Sequence, residues 1–324
     1  MMRASPKLAV IVFGAFLGSC GVAFAQAGGV TGRVIYPYAP GGVGDASARF
    51  VADVLSKGLG RAFIVENRAG AGGRTGTRAV ADAAPDGNTL GFVTVALMSV
   101  FPIVYPSLNY DPVADFTPVS QVARFDIAMA SGPMVNANSL KDFVAWGKAN
   151  PDKGFYSTPA AGSLPHFFAV SVGEATGINL QHVPYAGPAP AINDVIAGQL
   201  PMVVSTTSDV SELHKAGRLR ILATSGNKRS AIVPDVPTLK ELGHNVEGYG
   251  WYAVVAPAKT PQTVIERLNK VIADAMREPT NRERFEMLGM EPTGTSSTEL
   301  AQIIKSDQEK WTPVVKASGF TPTN

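Results

Sequence analysis

The chain has 324 residues, of which 45% are hydrophobic, and this is enough apolar material for two domain cores. Only 17% are charged, which excludes the highly charged, apolar-poor composition of a disordered protein. The formal net charge is +2 and falls to zero without Arg3 and Lys7, so the chain lacks the basic surface that nucleic-acid binding requires.

The first 25 residues have the pattern of an export signal. Arg3 and Lys7 precede a short apolar stretch, and Ala23–Ala25 has the small-residue pattern of a signal-peptidase site. The apolar stretch is shorter than the roughly 20 residues that a membrane-spanning helix needs. Cys20, the only cysteine, follows a Leu-Gly-Ser string that resembles a lipoprotein processing site, and a lipid tether is therefore the alternative. The sequence predicts an exported, soluble chain whose mature form contains no disulfide.

Strand-like and helix-like segments alternate through the first third of the mature chain. Strands are predicted at 33–36, 62–66 and 89–95, and helices at 46–59 and 75–83. Glycine-rich loops join the strands to the helices. This repeated strand–helix–strand order predicts a parallel sheet with helices on both faces.

The same alternation continues through the middle of the chain, and the last part is mostly helical. Strands are predicted at 154–157, 180–183, 201–204 and 219–225, and helices at 139–150, 164–176, 189–197, 263–277, 281–288 and 298–317. The predicted fold class is α/β, with doubly wound sheets and flanking helices. About 300 mature residues should divide into two lobes, because single hydrophobic cores stop growing near that size.

Four loops between a strand and a helix are candidates for an anion site. They are Pro40–Asp45, Gly70–Gly73, Gly162–Ser163 and Pro184–Pro190. Main-chain N–H groups of such a loop and the positive end of the helix behind it favour an anion, and ligands of open α/β sheets lie at this edge. Each loop alone is equally well or better explained as a tight turn or a helix cap, and His166 alone as a structural residue. Four such loops together favour the anion site.

The motifs of several other functions are missing. Gly42-Val43-Gly44 is followed by Ser47 where a dinucleotide fingerprint has its third glycine, and the chain contains no P-loop. No nucleophile elbow of the G-x-S-x-G type occurs. The four histidines do not have the spacing of metal ligands. We therefore expect no cofactor, no metal and no catalytic residue.

A series of short motifs extends over nearly all of the mature chain. They include Pro40-Gly41-Gly42 with Asp45 and Arg49, Glu66–Gly73, Pro85-Asp86-Gly87, Tyr110-Asp111-Pro112, Gly162-Ser163-x-x-His166, His182–Tyr185, Ala197-Gly198-Gln199, Lys228-Arg229-Ser230, Pro234–Thr238 and Ala256-Pro257. In order and spacing these motifs resemble the tripartite tricarboxylate transporter solute-binding proteins, the Bug family.

The resemblance implies a periplasmic binding protein of the type II class with two lobes. Lobe one would hold residues 28–122 and 249–324, lobe two residues 123–248, and the chain crossings near 122–125 and 246–251 would form the hinge. It further implies that the ligand is a small organic carboxylate and that the partners are membrane transporter subunits of the tripartite tricarboxylate type. We expect the protein to act as a monomer.

The resemblance also implies that loop backbone, hydroxyl groups and ordered water hold the ligand carboxylate. The binding residues expected in lobe one are Tyr38, Pro40, Gly41, Gly42, Gly44, Asp45, Gly72, Thr94 and Ala96. Those expected in lobe two are Ser157, Gly162, Ser163, His166, Pro184, Tyr185, Gly187, Ser205 and Thr206.

One stretch departs from the family pattern. After Gly198-Gln199 the family often has an acid at the end of the strand that faces the cleft, whereas Val204–Thr207 places hydroxyl groups there. We therefore expect a neutral pocket wall, which disfavours the ammonium group of an amino acid. Two other functions remain as alternatives: a ligand-presenting sensor component of a two-component system, and an exported α/β hydrolase.

Overall fold

The computed structural model describes residues 30–185 and 187–322, so the predicted export signal and Cys20 lie outside the described residues. The strands are β1 (Gly32–Tyr36), β2 (Phe63–Asn67), β3 (Thr89–Thr94), β4 (Phe116–Ser131), β5 (Phe155–Thr158), β6 (Gln181–Pro184), β7 (Met202–Thr206), β8 (Arg220–Thr224), β9 (Tyr249–Pro257) and β10 (Met290–Pro292). The helices are α1 (Gly42–Leu59), α2 (Arg74–Ala81), α3 (Phe101–Val104), α4 (Leu140–Ala149), α5 (Leu164–Thr176), α6 (Pro188–Ile196), α7 (Thr207–Lys215), α8 (Gln262–Arg277), α9 (Pro279–Met287) and α10 (Ser297–Ala317).

Every predicted strand and helix is present, and most bounds move by one or two residues. The largest correction concerns α1, which begins at Gly42 rather than at residue 46. Gly42, Gly44 and Asp45 therefore belong to the first turn of a helix and not to a loop. The prediction missed β4, β9, β10, α3 and α7.

The first sheet combines a parallel and an antiparallel part. β1 pairs in parallel with β2 and with β3, whereas β9 runs antiparallel to β3 and β4, and β10 antiparallel to β4. Because parallel strands point the same way, the carboxyl ends of β1, β2 and β3 meet at one edge of the sheet. From this edge the chain continues into α1, into the 3₁₀ turn Ala71–Gly73 before α2, and into the π turn Ala96–Val100 before α3.

The second sheet repeats this arrangement. β5 pairs in parallel with β6 and β7, while β4 runs antiparallel to both β7 and β8. The carboxyl ends of β5, β6 and β7 therefore also meet at one edge, and the chain enters α5, α6 and α7 from it.

The long strand β4 belongs to both sheets. Its first part, from Phe116 to Asp126, pairs with β9, and its second part, from Ile127 to Ser131, pairs with β7 and β8. The register of the pairing with β9 shifts between Pro118 and Ser120 and again between Gln121 and Ala123. The two sheets are thus connected by one continuous strand.

Helix packing covers both sheets. In α1 the buried face contains Phe50, Val51 and Leu55, and burying each such side chain contributes roughly 1.5–3 kcal/mol. The C-terminal helix α10 packs against β4 and the π turn Ala96–Val100, where the Ser99 hydroxyl donates a hydrogen bond to the carbonyl of Ile304 at 3.2 Å. No helix within residues 30–185 and 187–322 combines the length and apolar character needed to cross a membrane.

Candidate ligand-binding cleft

The first turn of α1 presents free main-chain donors at the carboxyl edge of the first sheet. Gly41, the N-cap residue, and Gly42 have φ angles of +93° and +77°, a region that favours glycine, and both are exposed. No atom lies within 4 Å of the position that a Cβ would take at either glycine. No side chain caps this end of the 18-residue helix, so its first N–H groups are available to an anion.

Asp45 shapes this turn with its carboxylate. It is only 5% exposed, and it accepts hydrogen bonds from the Gly41 N–H at 3.2 Å, from Asn67 Nδ2 at 2.8 Å and from Arg49 Nε at 2.9 Å. Burial would raise the pKa of Asp45, but the hydrogen bonds from Asn67, Arg49 and Gly41 outweigh burial and lower it. The carboxylate is therefore charged and holds the glycine turn in place.

Phenol groups lie beside the same turn. A Cβ on Gly44 would meet the hydroxyl oxygen of Tyr36 at 2.1 Å and that of Tyr252 at 3.1 Å, so only glycine fits there. Tyr38, which is half-buried, shares a hydrogen bond of 3.2 Å with the Thr94 hydroxyl. Burial raises the pKa of Tyr38 to about 12, against the opposing effect of the Thr94 hydrogen bond. Burial also raises the pKa of Tyr36 and of Tyr252, so all three phenols remain protonated donors at neutral pH.

The second glycine loop lies next to Tyr38. A Cβ on Gly73, the N-cap of α2, would lie 3.2 Å from the Tyr38 ring, and the adjoining Gly72 is exposed with a φ angle of +66°. Ala96 follows Thr94 by two residues and is half-buried at the start of the π turn. The structure therefore places Tyr38 beside Thr94 and beside the loop that contains Gly72, and their contact with a ligand stays a prediction. Pro40 is exposed beside Gly41.

On the second sheet, the loop before α5 rests on a pair of histidines. The Gly162 N–H donates to His166 Nδ1 at 3.2 Å, and the Ser163 hydroxyl donates to the carbonyl of Ala160 at 2.7 Å. The ring of His166, a residue only 6% exposed, stacks on His182 with the centroids 3.8 Å apart. The geometry identifies His166 as a support of the loop, since its ring is covered by protein on the side of His182.

Both histidines are neutral at pH 7. Burial lowers the pKa of His166 to about 4. Burial, together with the charge that His166 would carry, lowers the pKa of His182 to about 3. Thr158 contacts His182 Nε2 at 2.6 Å through its hydroxyl, which ties the histidine pair to the end of β5.

The loop after β6 is joined to the loop after β5. The N–H of Tyr185 donates to Thr158 O at 3.1 Å, and the N–H of Gly187 donates to Pro159 O at 2.8 Å. Pro184 is exposed at this loop. Ser157 differs from the prediction: it is fully buried, and its hydroxyl donates to main-chain carbonyls of Ala191 and Met202 instead of facing a ligand.

The end of β7 carries a carboxylate that the sequence prediction missed. Ser205 is fully buried, and its hydroxyl donates to Asp209 Oδ2 in the first turn of α7. The Thr206 hydroxyl lies 3.2 Å from the Ser208 hydroxyl. The hydroxyl of Ser205 is therefore occupied by a carboxylate and not free to contact a ligand, while the neutral wall as a whole stays a prediction. An acid in the first turn after the strand was the signal that could have revealed this carboxylate.

Tyr252 of β9 pairs with Thr94 at the end of β3, and its hydroxyl borders Gly44 in the first turn of α1. We call the region between the carboxyl edges of the two sheets, where α1 and α7 begin, the inter-sheet cleft.

Every helix that starts at the two carboxyl edges lacks a side-chain cap. No side-chain hydrogen bond is present at the N-cap of α1, α2, α3, α5, α6 or α7, and α8 and α9 also have none. By contrast, Ser139 caps α4, and Ser296 caps α10 in a complete capping box. Within the described residues, no group of three or more His, Cys, Asp or Glu side chains could hold a metal ion.

Two α/β sheets joined by a shared strand, with helix N-termini at both carboxyl edges, are the architecture of periplasmic solute-binding proteins. Among solved structures, the chain is similar to Rpa4515 of R. palustris with adipate, at a TM-score of 0.81 and 28% identity over 90% of this chain and 98% of that one. It is similar to the periplasmic binding protein BugD, at a TM-score of 0.76 and 29% identity over 90% of this chain and 99% of that one. A third similar structure is MatC of Rhodopseudomonas palustris with bound malate, with a TM-score of 0.75 and 27% identity over 88% of this chain and 98% of that one.

The family model described as "Tripartite tricarboxylate transporter family receptor" matches residues 47–320, and the chain belongs to this family. Protein BugT of Bordetella pertussis is 33% identical over 289 residues, which are 89% of each chain. A UPF0065 protein of Bordetella bronchiseptica is 32% identical over 290 residues, 90% of this chain and 86% of that one. The predicted family and fold class are confirmed. The lobe bounds and the ligand contacts stay predictions.

Proposed function

We propose that this protein captures a small organic carboxylate in the inter-sheet cleft and delivers it to membrane transporter subunits of the tripartite tricarboxylate type. The observation that carries the proposal is the glycine turn at the start of α1, where Gly41 and Gly42 are exposed with empty Cβ positions and no side chain caps the first N–H groups of the helix. A carboxylate satisfies such N–H groups and is favoured by the helix dipoles. The adipate and malate seen with two similar proteins support an organic acid as ligand.

Binding and closure follow from the position of these donors on two separate sheets. The carboxylate accepts hydrogen bonds from the first turn of α1, and hydroxyl groups such as that of Tyr38 add neutral donors. The second lobe, residues 123–248, then closes on the first lobe, residues 28–122 and 249–324. The closed form is the one that the transporter recognises. Family membership and the predicted export signal support the periplasm as the place of capture.

A thermal-shift screen over carboxylic acids tests the proposal. The panel includes dicarboxylates, tricarboxylates, hydroxy acids, amino acids and aromatic acids. An acid present at 100 times its Kd stabilises the native state by about 2.7 kcal/mol, because it binds only the folded protein. A panel without a single shift would contradict the proposed function.

Gly42 provides the matched variant pair. Gly42 and Gly60 lie at opposite ends of α1, both have positive φ angles (+77° and +65°), and both have empty space at the Cβ position. Gly42→Val and Gly60→Val therefore strain the backbone similarly, but only Gly42→Val places a side chain at the anion end. We expect the acid-induced shift to disappear in Gly42→Val and to remain in Gly60→Val. If both variants keep the shift, this turn does not bind the acid.

A further inference from the structure

The chain turns back after α10 and places an aromatic ring on the loop before α5. Gly319 has a φ angle of +63°, a region that favours glycine, and ends the helix. The N–H of Phe320 donates to the Ser318 hydroxyl at 3.1 Å, and this hydroxyl donates to Val315 O at 2.7 Å. These contacts fix the direction in which the half-buried Phe320 leaves the helix.

The ring of Phe320 lies beside both partners of the hydrogen bond that supports this loop. It packs edge-on against His166, with the centroids 5.2 Å apart, and against Phe167, with the centroids 5.8 Å apart. A Cβ on Gly162 would lie only 3.0 Å from a ring carbon of Phe320. Because the N–H of Gly162 donates to His166 Nδ1, the ring covers the donor residue and the acceptor residue together.

The loop 160–163 depends on support from outside itself. Ala160 and Ala161 are exposed, and the Ser163 hydroxyl is used on the carbonyl of Ala160 within the same loop. Gly162 has a φ angle of +69°, and as a glycine it changes conformation easily where its neighbours do not restrict it. The restriction comes from α5 and from the C-terminal segment.

We propose that Phe320 is a positioning residue of the ligand site, which keeps the loop 160–163 and the uncapped first turn of α5 in the conformation that binds the carboxylate. This inference rests on the proposed function. A loop that is ordered before binding loses less conformational entropy on binding, which raises the affinity without any new contact to the ligand. Since α10 also packs against the π turn Ala96–Val100 after β3, the ring connects a loop of the second sheet to an element that is seated on the first.

A ring that only fills space predicts a different behaviour. Loss of its apolar contacts would lower the unfolding free energy of the protein. The affinity of the folded protein for an acid would then stay unchanged, because the loop would keep its conformation. Opening of the loop within the folded protein therefore separates positioning from a purely structural role.

The experiment combines amide hydrogen exchange with calorimetry. The proteins are the unmodified chain, Phe320→Ala, Phe320→Leu and, as the matched control, Thr321→Ala at the exposed neighbouring residue. Exchange of the Gly162 N–H, followed by NMR without ligand, reports opening of the loop, and the amides of the buried strand β3 serve as the reference. Calorimetry uses succinate, malate, adipate, citrate and benzoate.

In Phe320→Ala we expect the Gly162 N–H to exchange at least about tenfold faster relative to the amides of β3, because the loop opens locally. The affinity for an acid that the unmodified protein binds should fall by about tenfold. Phe320→Leu keeps an apolar side chain but no ring, so both effects should be smaller and in the same direction. Thr321→Ala should change neither.

Two results would overturn the inference. Unchanged relative exchange of the Gly162 N–H in Phe320→Ala means that the ring does not order the loop, and Phe320→Leu decides this point if Phe320→Ala does not fold. Faster exchange with unchanged affinity means that the order of the loop does not contribute to binding. In both cases acids still bind the unmodified protein and the proposed function stands, whereas binding of no acid would contradict the proposed function and this inference with it.

Discussion

His166 and His182 make the loop before α5 sensitive to pH. His166 accepts a hydrogen bond at Nδ1 from Gly162, so its proton lies on Nε2, and a second proton would break this contact. The rings are 3.8 Å apart, and charging both would place two cations in contact. The low pKa values of the pair, about 4 and about 3, follow mainly from burial.

Acid should therefore weaken the fold through these histidines. In the unfolded chain they bind protons near pH 6.5, whereas the folded pair stays neutral to about pH 4, so the unfolded state gains protons first as pH falls. The stabilisation is complete above pH 6.5 and is lost between pH 6.5 and about 3. After allowance for solvent screening, we expect a loss of about 1 kcal/mol at pH 5.

The measurement compares the unmodified protein with His182→Phe, which keeps a ring for the stack. Chemical denaturation at pH 7 and pH 5 should show a smaller loss of unfolding free energy in the variant. The comparison is needed because Asp126, whose pKa burial raises to about 6, contributes the opposite pH dependence. An equal loss in the two proteins would contradict the assignment.

The roles of single residues were only partly predictable from the sequence. The exposed glycines Gly41 and Gly42 could be placed, because a glycine turn between a strand and a helix has a defined geometry. The direction in which the Asp45 side chain points could not be predicted, because its partner Asn67 lies 22 positions away at the end of another strand. The same limit explains Ser157, whose partners Ala191 and Met202 are distant in sequence.

At the scale of elements, α4 and α10 begin with a side-chain cap, whereas the other eight helices of the described residues do not. Ser296 caps α10 by accepting from Glu299 N, and the Glu299 side chain accepts from the Ser296 N–H in return. The helices that start at the inter-sheet cleft have no such contact. Capping by a side chain stabilises a helix and at the same time occupies the donors that a ligand would need. Uncapped ends thus favour binding over helix stability.

Loss of the cap on α10 should affect stability alone. Ser296→Ala is expected to lower the unfolding free energy by about 1 kcal/mol. The affinity for a bound acid should not change, because α10 starts away from the cleft edges. Chemical denaturation measures the change in unfolding free energy, and calorimetry measures the affinity for the acid. Ser306→Ala, on the exposed face of the same helix, is the control. A changed affinity in Ser296→Ala, but not in Ser306→Ala, would contradict the division into two groups.

The two long strands that the sequence prediction missed, β4 and β9, were missed for the same physical reason: both are buried along most of their length. β4 is buried along most of its 16 residues, so it lacks the alternation of apolar and polar residues that reveals a strand with one exposed face. Its pairing partners β9, β7 and β8 lie far away in sequence. Most strands followed by amphipathic helices, by contrast, were found because both periodicities are local, although α7 after β7 was missed.

At the scale of the whole molecule, side-chain contacts join the two sheets in addition to β4, and two of them are informative. Glu291 of β10 pairs with Arg124 of β4 at 2.9 Å and with Lys228, which follows β8, at 3.1 Å. On the other connection, Phe320 follows α10 and packs edge-on against His166 in α5, with the ring centroids 5.2 Å apart. Any movement of one sheet relative to the other must accommodate both contacts.

The overall architecture was largely predictable because the alternation of strands and helices and the order of the motifs agree. The connection between the sheets was less predictable from the sequence. The expected crossing near 122–125 is a continuous strand that changes sheets between Asp126 and Ile127, a feature that depends on pairing and not on local composition. The proposed lobe bounds place this change in the second lobe, close to its start.

The central claim is that main-chain donors at the inter-sheet cleft hold an organic acid. A crystal structure of the protein with the acid that gives the largest thermal shift tests it most directly. The account predicts a carboxylate within about 3 Å of main-chain nitrogens in the first turn of α1, with the acid unchanged and enclosed by both sheets. An acid bound outside the cleft, or held only by side chains, would contradict it.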